Sequence, residues 1–244
     1  MKKTYFALLA LPLFLVACGG GGSSGSTSTP APTIDPNLTV PFKAAMASVV
    51  TSGITGSFNI SGWAIVNSQQ VPVTGSGTYT QGMSSGATLF TPTGQAASLK
   101  QMVSINATIN ANGSIGSANG TAYNYYDPAT FSLLAVSNTN TTIFFTPYTI
   151  PTSVKAQTNG LLGTASDYRT LATTMSQTYS VAQDTASSLL VTVNLEQSMQ
   201  PVGKISQSST VYRVTSSGGI KFVSINQQAF NQGTTTSNLN FTFN

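Results

Sequence analysis

Alternation with a period of two runs through most of this chain. Val103, Ile105, Ala107 and Ile109 alternate with Ser104, Asn106, Thr108 and Asn110. Leu189, Val191, Val193 and Leu195 alternate with Leu190, Thr192, Asn194 and Glu196, and Leu239, Phe241 and Phe243 alternate with Asn240, Thr242 and Asn244. Successive side chains of a strand point to opposite faces, so the pattern describes strands with one face in an apolar core and the other in water. The runs read as strands are Phe58–Val66, Val71–Thr80, Met102–Asn110, Ser114–Tyr126, Ile143–Phe145, Gln177–Val181, Leu189–Glu196, Ile205–Val214, Ile220–Ile225 and Asn238–Asn244.

The punctuation between the runs supports that reading. Asn112-Gly113 is a strong signal for a type I′ hairpin, and Ser216-Ser217-Gly218-Gly219 marks a second hairpin. Short connections of this kind favour an antiparallel meander over βαβ units. Phe58 and Ile60 lie on one parity and Trp63 and Ile65 on the other, which predicts a β-bulge at Gly62. The irregular stretch from Pro147 to Asp167 is expected to be a loop or a long crossover. One helix is predicted over Pro41–Ser52, because Phe42, Met46, Val49 and Val50 fall on a single helical face. Pro41 suits its first position and Gly53 the residue past its end. The expected fold is therefore mainly β, an antiparallel meander of about ten strands with one short N-terminal helix. It closes as either a sandwich or a curved half-barrel-like sheet, in a single domain over residues 41–244. A transmembrane barrel is disfavoured because many of the runs are shorter than the 9–11 residues a membrane strand needs, and no repeated aromatic girdle is visible.

The first residues follow a different logic. Lys2 and Lys3 precede an apolar run from Tyr5 to Val16, too short to span a bilayer, which needs about 20 apolar residues. The only cysteine of the chain, Cys18, stands where such a leader is cut. The tetrad Leu15-Val16-Ala17-Cys18 resembles the lipobox of bacterial lipoproteins. The resemblance implies a signal peptide over residues 1–17, a diacylglycerol on the Cys18 sulfur and an N-acyl chain such as palmitate on its amino group. Each buried CH₂ adds about 0.8 kcal/mol of membrane affinity and one chain alone holds marginally, so two or three chains make a stable anchor. Gly19 replaces the aspartate of an inner-membrane retention signal, which points to the outer membrane, facing either the periplasm or the exterior. Residues 18–40 contain the lipidated cysteine and a Gly/Ser/Thr/Pro linker. Its eighteen residues from Gly19 to Pro36 have a coil-like reach of somewhat over about 20 Å.

Composition narrows the function classes. The chain carries a formal net charge of +4, two units of which belong to Lys2 and Lys3. No basic cluster remains, so no nucleic-acid partner is expected. With no histidine in the chain, the Ser-His-Asp and Cys-His arrangements are excluded, together with the commonest transition-metal ligand. With Cys18 lipidated, no disulfide and no thiol nucleophile are left. A carboxylate pair from Asp167 and Asp184 and a Ser–Lys dyad using Lys43, Lys100, Lys155, Lys204 or Lys221 are the remaining enzymatic options, and nothing in the pattern recommends either. No catalytic residue, metal site or cofactor is expected beyond the acyl groups on Cys18. Aromatic residues are the remaining lead. Tyr123, Tyr125 and Tyr126 cluster before the Asp127-Pro128 turn, and Trp63, Tyr79 and Tyr148 can join them. Such rings either stack on sugars and dock proteins or, for Tyr123 and Tyr125 on one parity, fill the core beneath the turn.

The segments Thr152-Ser153-Val154-Lys155, Gly160-Leu161-Leu162-Gly163-Thr164, Val211-Tyr212-Arg213-Val214 and Ile220–Ile225 are similar to uncharacterised bacterial outer-membrane lipoproteins. That resemblance implies a β-rich lipoprotein and brings no activity with it. The function expected is that of a membrane-anchored, non-enzymatic envelope interaction or structural domain with an unidentified protein or glycan partner. The alternative is a lipid or glycan carrier with a concave apolar sheet face. Cys18→Ala is expected to abolish metabolic labelling with an alkyne fatty acid; a variant that still labels would remove the anchor assignment.

Overall fold

The computed structural model describes residues 35–138, 142–146, 148–166 and 173–244. The signal peptide, Leu15-Val16-Ala17-Cys18, most of the linker and Asp167 lie outside the described residues. The elements are, in chain order, β1 (Thr39–Val40), α1 (Phe42–Ser52), β2 (Ile54–Val66), β3 (Gln69–Gln81), β4 (Ser85–Thr91), β5 (Gly94–Ala111), β6 (Ser114–Tyr126) and β7 (Leu133–Ser137). They continue as β8 (Thr142–Phe145), β9 (Val154–Lys155), β10 (Asn159–Ser166), β11 (Thr173–Thr185), β12 (Ser188–Met199), β13 (Gly203–Thr215), β14 (Ile220–Asn231) and β15 (Thr234–Phe243).

Every run read as a strand from its alternation lies almost wholly within one, and the structure is mainly β with one described helix. The architecture is neither a sandwich nor an open half-barrel. Twelve antiparallel strands form a closed ring in the order β3-β2-β15-β14-β13-β12-β11-β10-β8-β7-β6-β5, and β5 pairs back onto β3. The closing seam has nine register pairs, from Val73↔Ala111 to Gln81↔Val103. A second long-range seam joins β15 to β2, from Ser237↔Ala64 to Phe243↔Phe58. β4 stands outside the ring and pairs only with the first part of β5. The strands number more than ten because β4, β7 and β10 lack the alternation, and β10 lies in the segment expected to be a loop.

Two further expectations are corrected. The register runs unbroken past Gly62 on both sides, so there is no bulge there. The parity change is real but means that Trp63 and Ile65 face outward, Ile65 being 41% exposed. Gly62 is needed because its φ is +149° and a Cβ would sit only 2.0 Å from the Asn238 carbonyl oxygen. Real register shifts occur elsewhere, for example between Gln183 and Thr185 and between Val211 and Tyr212. Finally, the ring strands of the two long seams are 10 to 18 residues long, so strand length does not argue against a membrane barrel. Polarity does.

One parity of each strand fills the interior. Leu189, Val191, Val193 and Leu195 of β12, Phe58 and Ile60 of β2, and Phe222 and Phe241 are all buried. The opposite parity, such as Asn59 and Ser61 on β2, Ser104 and Asn106 on β5 and Thr192 and Asn194 on β12, forms the outer wall. A membrane barrel shows the reverse, an apolar outer band around a polar lumen.

A ring of twelve strands is wider than the eight whose side chains suffice to fill the inside. Here the extra space at one end is taken by α1. Phe42, Ala45, Val49 and Val50 are buried, Met46 is half-buried, and the Phe42 ring lies 6.0 Å from that of Tyr179. Gly53 takes φ +76° and donates its N–H to the Val49 carbonyl at 3.1 Å. Helix ends leave unpaired carbonyls. Val50 O is one of these: it accepts the Ser84 N–H at 3.1 Å and, at 3.4 Å, Nε2 of the fully buried Gln101 of β5, which also donates to Val49 O at 2.7 Å. β1 pairs with β9 beside the helix. The tyrosines Tyr79 and Tyr212 pack with Phe222 and Phe243 behind this plug, at 5.2 Å, 5.4 Å and 4.8 Å between neighbouring rings.

Closure of the ring depends on small residues at its seam. A Cβ at Gly77 would lie 2.3 Å from Asn106 O and 2.8 Å from the Ala107 Cα, whereas one at Gly116 meets nothing within 4 Å. Crowding of this kind costs about 1–3 kcal/mol or more. Gly77→Ala is expected to lose at least about 2 kcal/mol in urea unfolding, while Gly116→Ala stays within about 0.5 kcal/mol. Equal losses would mean the seam does not control stability.

Candidate interaction site on the outer wall

The four aromatic residues singled out from the sequence divide between three places. Tyr126 points into the barrel and is 7% exposed; its hydroxyl accepts a hydrogen bond from Asn124 Nδ2 at 3.0 Å and donates to Gln101 Oε1 at 3.4 Å. Burial pushes its ionisation far above the ordinary tyrosine range, as it does for Tyr79 and Tyr212. Tyr126 is a core residue. Tyr123 and Tyr125 take the other parity and stand on the outer wall, half-buried, so they do not fill the core. Trp63 also faces outward but pairs with Pro72, whose carbonyl accepts from Asn112 N–H, while Tyr123 pairs with Met102. Ten residues of β5 separate those levels, about 33 Å at 3.3 Å per residue. Trp63 belongs to no cluster with the tyrosines. Tyr148 enters the barrel and receives Leu133 N–H on its hydroxyl at 3.1 Å; burial raises its pKa to about 12.

Around Tyr123 and Tyr125 the wall carries a cation and exposed apolar surface. Lys100 Nζ lies 4.0 Å above the Tyr123 ring centroid and 5.8 Å from that of Tyr125. An ammonium over an aromatic face is attracted by the ring quadrupole, by about 0.5–1 kcal/mol at exposed sites. Met102 is 46% exposed beside them. The register carries this patch across the sheet: Lys100 pairs with Tyr125, Tyr125 with Ala135 and Ala135 with Phe144. Ala135 is fully buried although it lies on the outer parity, between two larger neighbours.

The same row continues into a concavity. Phe144 pairs with Ser166, Ser166 with Thr174 and Thr174 with Ser198. Here β8 is four residues long and meets β10 at only two register pairs, so the wall is thin. A groove of about 440 Å³ opens at this place. Thr146, Thr164, Ser166, Thr174, Ser176 and Ser198 supply its hydroxyls, Glu196 a carboxylate, and Ala165 and Met175 complete it. Glu196 is bridged by Lys204 at 2.7 Å, and Lys204 also lies 5.1 Å over the Phe230 ring. Alternation alone does not reveal this groove, because Ser and Thr mark the whole outer wall.

Two carboxylates away from the groove are engaged structurally. Asp127 accepts the backbone N–H groups of Thr130 and Ala129 at 2.7 Å and 2.9 Å, which hold its carboxyl below the usual range and build the expected turn. Asp184 on the outer end of β11 is held by the Arg213 guanidinium, with Nε to Oδ2 at 2.5 Å and Nη2 to Oδ1 at 2.8 Å, and by the Ser188 hydroxyl. That pairing commits Asp184 to structure. Comparison with known protein families, curated proteins and solved structures finds no match for the chain.

The Arg213 contacts lower the Asp184 pKa relative to the unfolded chain. A depressed carboxylate stabilises the fold above its unfolded value, about 3.9, and that contribution is lost as pH falls through the lower folded value. The denaturation midpoint is expected to drop below about pH 4 less steeply in Arg213→Gln than in the parent chain. Parallel pH profiles would exclude this pair as a source of acid sensitivity.

Proposed function

We propose that this chain is a lipid-anchored, water-facing interaction domain of the bacterial outer membrane, non-enzymatic, with its partner surface on the barrel wall. The observation that carries this reading is the polarity of the barrel, apolar within and Ser/Thr/Asn/Gln without. An outer wall of hydroxyls and amides would leave its polar groups unsatisfied in hydrocarbon, where each such group costs several kcal/mol. The barrel therefore belongs in water, and the lipobox-like Leu15-Val16-Ala17-Cys18 supplies the membrane attachment that the wall cannot. The Gly/Ser-rich linker gives the barrel room to stand clear of the headgroups.

Carrier function is less well supported. The interior is occupied by α1 and by the cluster of Tyr79, Tyr212, Phe222 and Phe243, and a small-molecule carrier needs an open and mostly apolar cleft. The groove on the outer wall is lined chiefly by hydroxyls, which suits a polar partner and not an acyl chain.

Detergent phase partition tests the reading directly. The parent chain is expected to enter the detergent phase of a Triton X-114 separation, and Cys18→Ala to remain in the aqueous phase as a folded β protein by circular dichroism. A Cys18→Ala chain that still follows the detergent would indicate a wall that meets lipid.

A further inference from the structure

We propose that the groove between β8 and β12 binds a neutral oligosaccharide, with Tyr125 and Tyr123 as its aromatic flank. This rests on reading the outer wall as the partner surface and names the class of partner. Its lining selects the chemistry. Six hydroxyls, from Thr146, Thr164, Ser166, Thr174, Ser176 and Ser198, face one concavity, and none has a side-chain hydrogen bond to another described residue. Some hydroxyls elsewhere on the strands are engaged by side chains, as Ser137 is by Thr142 at 2.9 Å and Ser209 by Asn194 at 3.1 Å. A hydroxyl both donates and accepts, so a row of them matches a polyhydroxylated ligand whichever way each proton turns.

Electrostatics narrows the competing classes. The carboxylate of Glu196 repels anions, and its nearest cation, Lys204, is already spent on it at 2.7 Å. Among the described residues lining the groove, no free guanidinium or ammonium stands ready to hold a phosphate or a sulfate. Within the groove this lining favours a neutral ligand over a phosphate or a sulfate. Glu196 retains 50% side-chain exposure and can accept from sugar hydroxyls, in charge-assisted bonds stronger than neutral ones. An apolar ligand finds only Ala165 and Met175, both nearly buried.

Geometry supplies the rest. The volume of about 440 Å³ falls in the range of small-ligand clefts, about 300–1,000 Å³. Ser166 and Thr174, Thr174 and Ser198, and Ser176 and Glu196 are register partners, so the polar pairs repeat at the strand spacing of about 4.8 Å, close to the width of a pyranose ring. Tyr125 lies three strands from Ser166 along the same row, about 14 Å at that spacing. A chain of a few sugars laid across the strands reaches from the hydroxyl groove to the tyrosine rings, whose faces suit the apolar C–H side of a pyranose.

The test uses the full-length lipidated protein in nanodiscs, screened against an array of neutral, sialylated and sulfated oligosaccharides. The strongest hit is then measured by isothermal titration. Binding of a neutral sugar is expected, insensitive to salt because no ion pair forms. Ser176→Arg, which fills the groove, and Tyr125→Ala, at its flank, should each weaken it by about tenfold or more, with thermal melts unchanged. Should Ser176→Arg fail to fold, Ser198→Arg on the neighbouring strand replaces it. Retention of no neutral sugar, preference for anionic ones, or undiminished affinity in the groove variants would each overturn the assignment. Such a failure is separate from that of the anchored-domain reading, which is decided by phase partition of Cys18→Ala and involves no sugar.

Discussion

The pairing of β3 with β5 is the interaction on which the rest of the structure depends. Without it, the strands from β5 round to β3 would form a curved sheet with two exposed edges and an apolar face open to water. Nine register pairs convert that sheet into a ring, and the apolar parity of every strand then faces its counterparts across an enclosed interior. Closure also removes the edges that make open sheets prone to aggregation. The geometry demands close backbone approach, and Gly75 and Gly77 provide it, each with a neighbouring carbonyl oxygen 2.3 Å from where a Cβ would stand.

A wide ring creates its own problem, which the N-terminal helix resolves. Twelve strands enclose more volume than one layer of side chains can fill, and an unfilled apolar lumen forfeits dispersion contacts as well as transfer energy. The helix enters this space with Phe42, Val49 and Val50. The cost of burying its C-terminal carbonyls is offset by Gln101, a polar side chain held inside the barrel for that purpose at 2.7 Å. Tyr79, Gln81, Asn124 and Tyr126 add an internal layer of hydrogen bonds beside it. The plug and the ring are therefore a single packed unit.

With the interior committed to stability, the outer wall is the surface open to a partner. That wall carries few charges, so what distinguishes one region from another is shape and aromatic content. The short strands β7 and β8 interrupt an otherwise regular lattice of hydroxyls and amides. The groove opens where the lattice is thinnest, and Lys100, Tyr123 and Tyr125 stand at its side. The ion pair of Arg213 with Asp184 reaches across β12 to tie β13 to β11, away from this region.

Much of the fold was legible in the residues because strand alternation is a local consequence of backbone geometry. The runs at Met102–Asn110 and Leu189–Glu196, the Asn112-Gly113 turn with φ of +50° and +86°, and the helix ending at Gly53 follow from neighbours in the chain. Gly62 was misread for the same reason: a parity change is local, but whether it marks a bulge or two outward apolar residues depends on strands from elsewhere. The tyrosines show the limit most clearly. The sequence puts Tyr123 and Tyr125 on one face and Tyr126 on the other, but only the closed ring assigns one face to water and the other to the core. Taken by itself, the sequence determined the alternating strands, the hairpin turns, the helix and the polarity of each face. Ring closure, the plugged end and the thin place in the wall were decided by tertiary structure. Each of these depends on which distant strands meet, and loop-closure entropy and long-range packing govern that choice with no local mark on the residues.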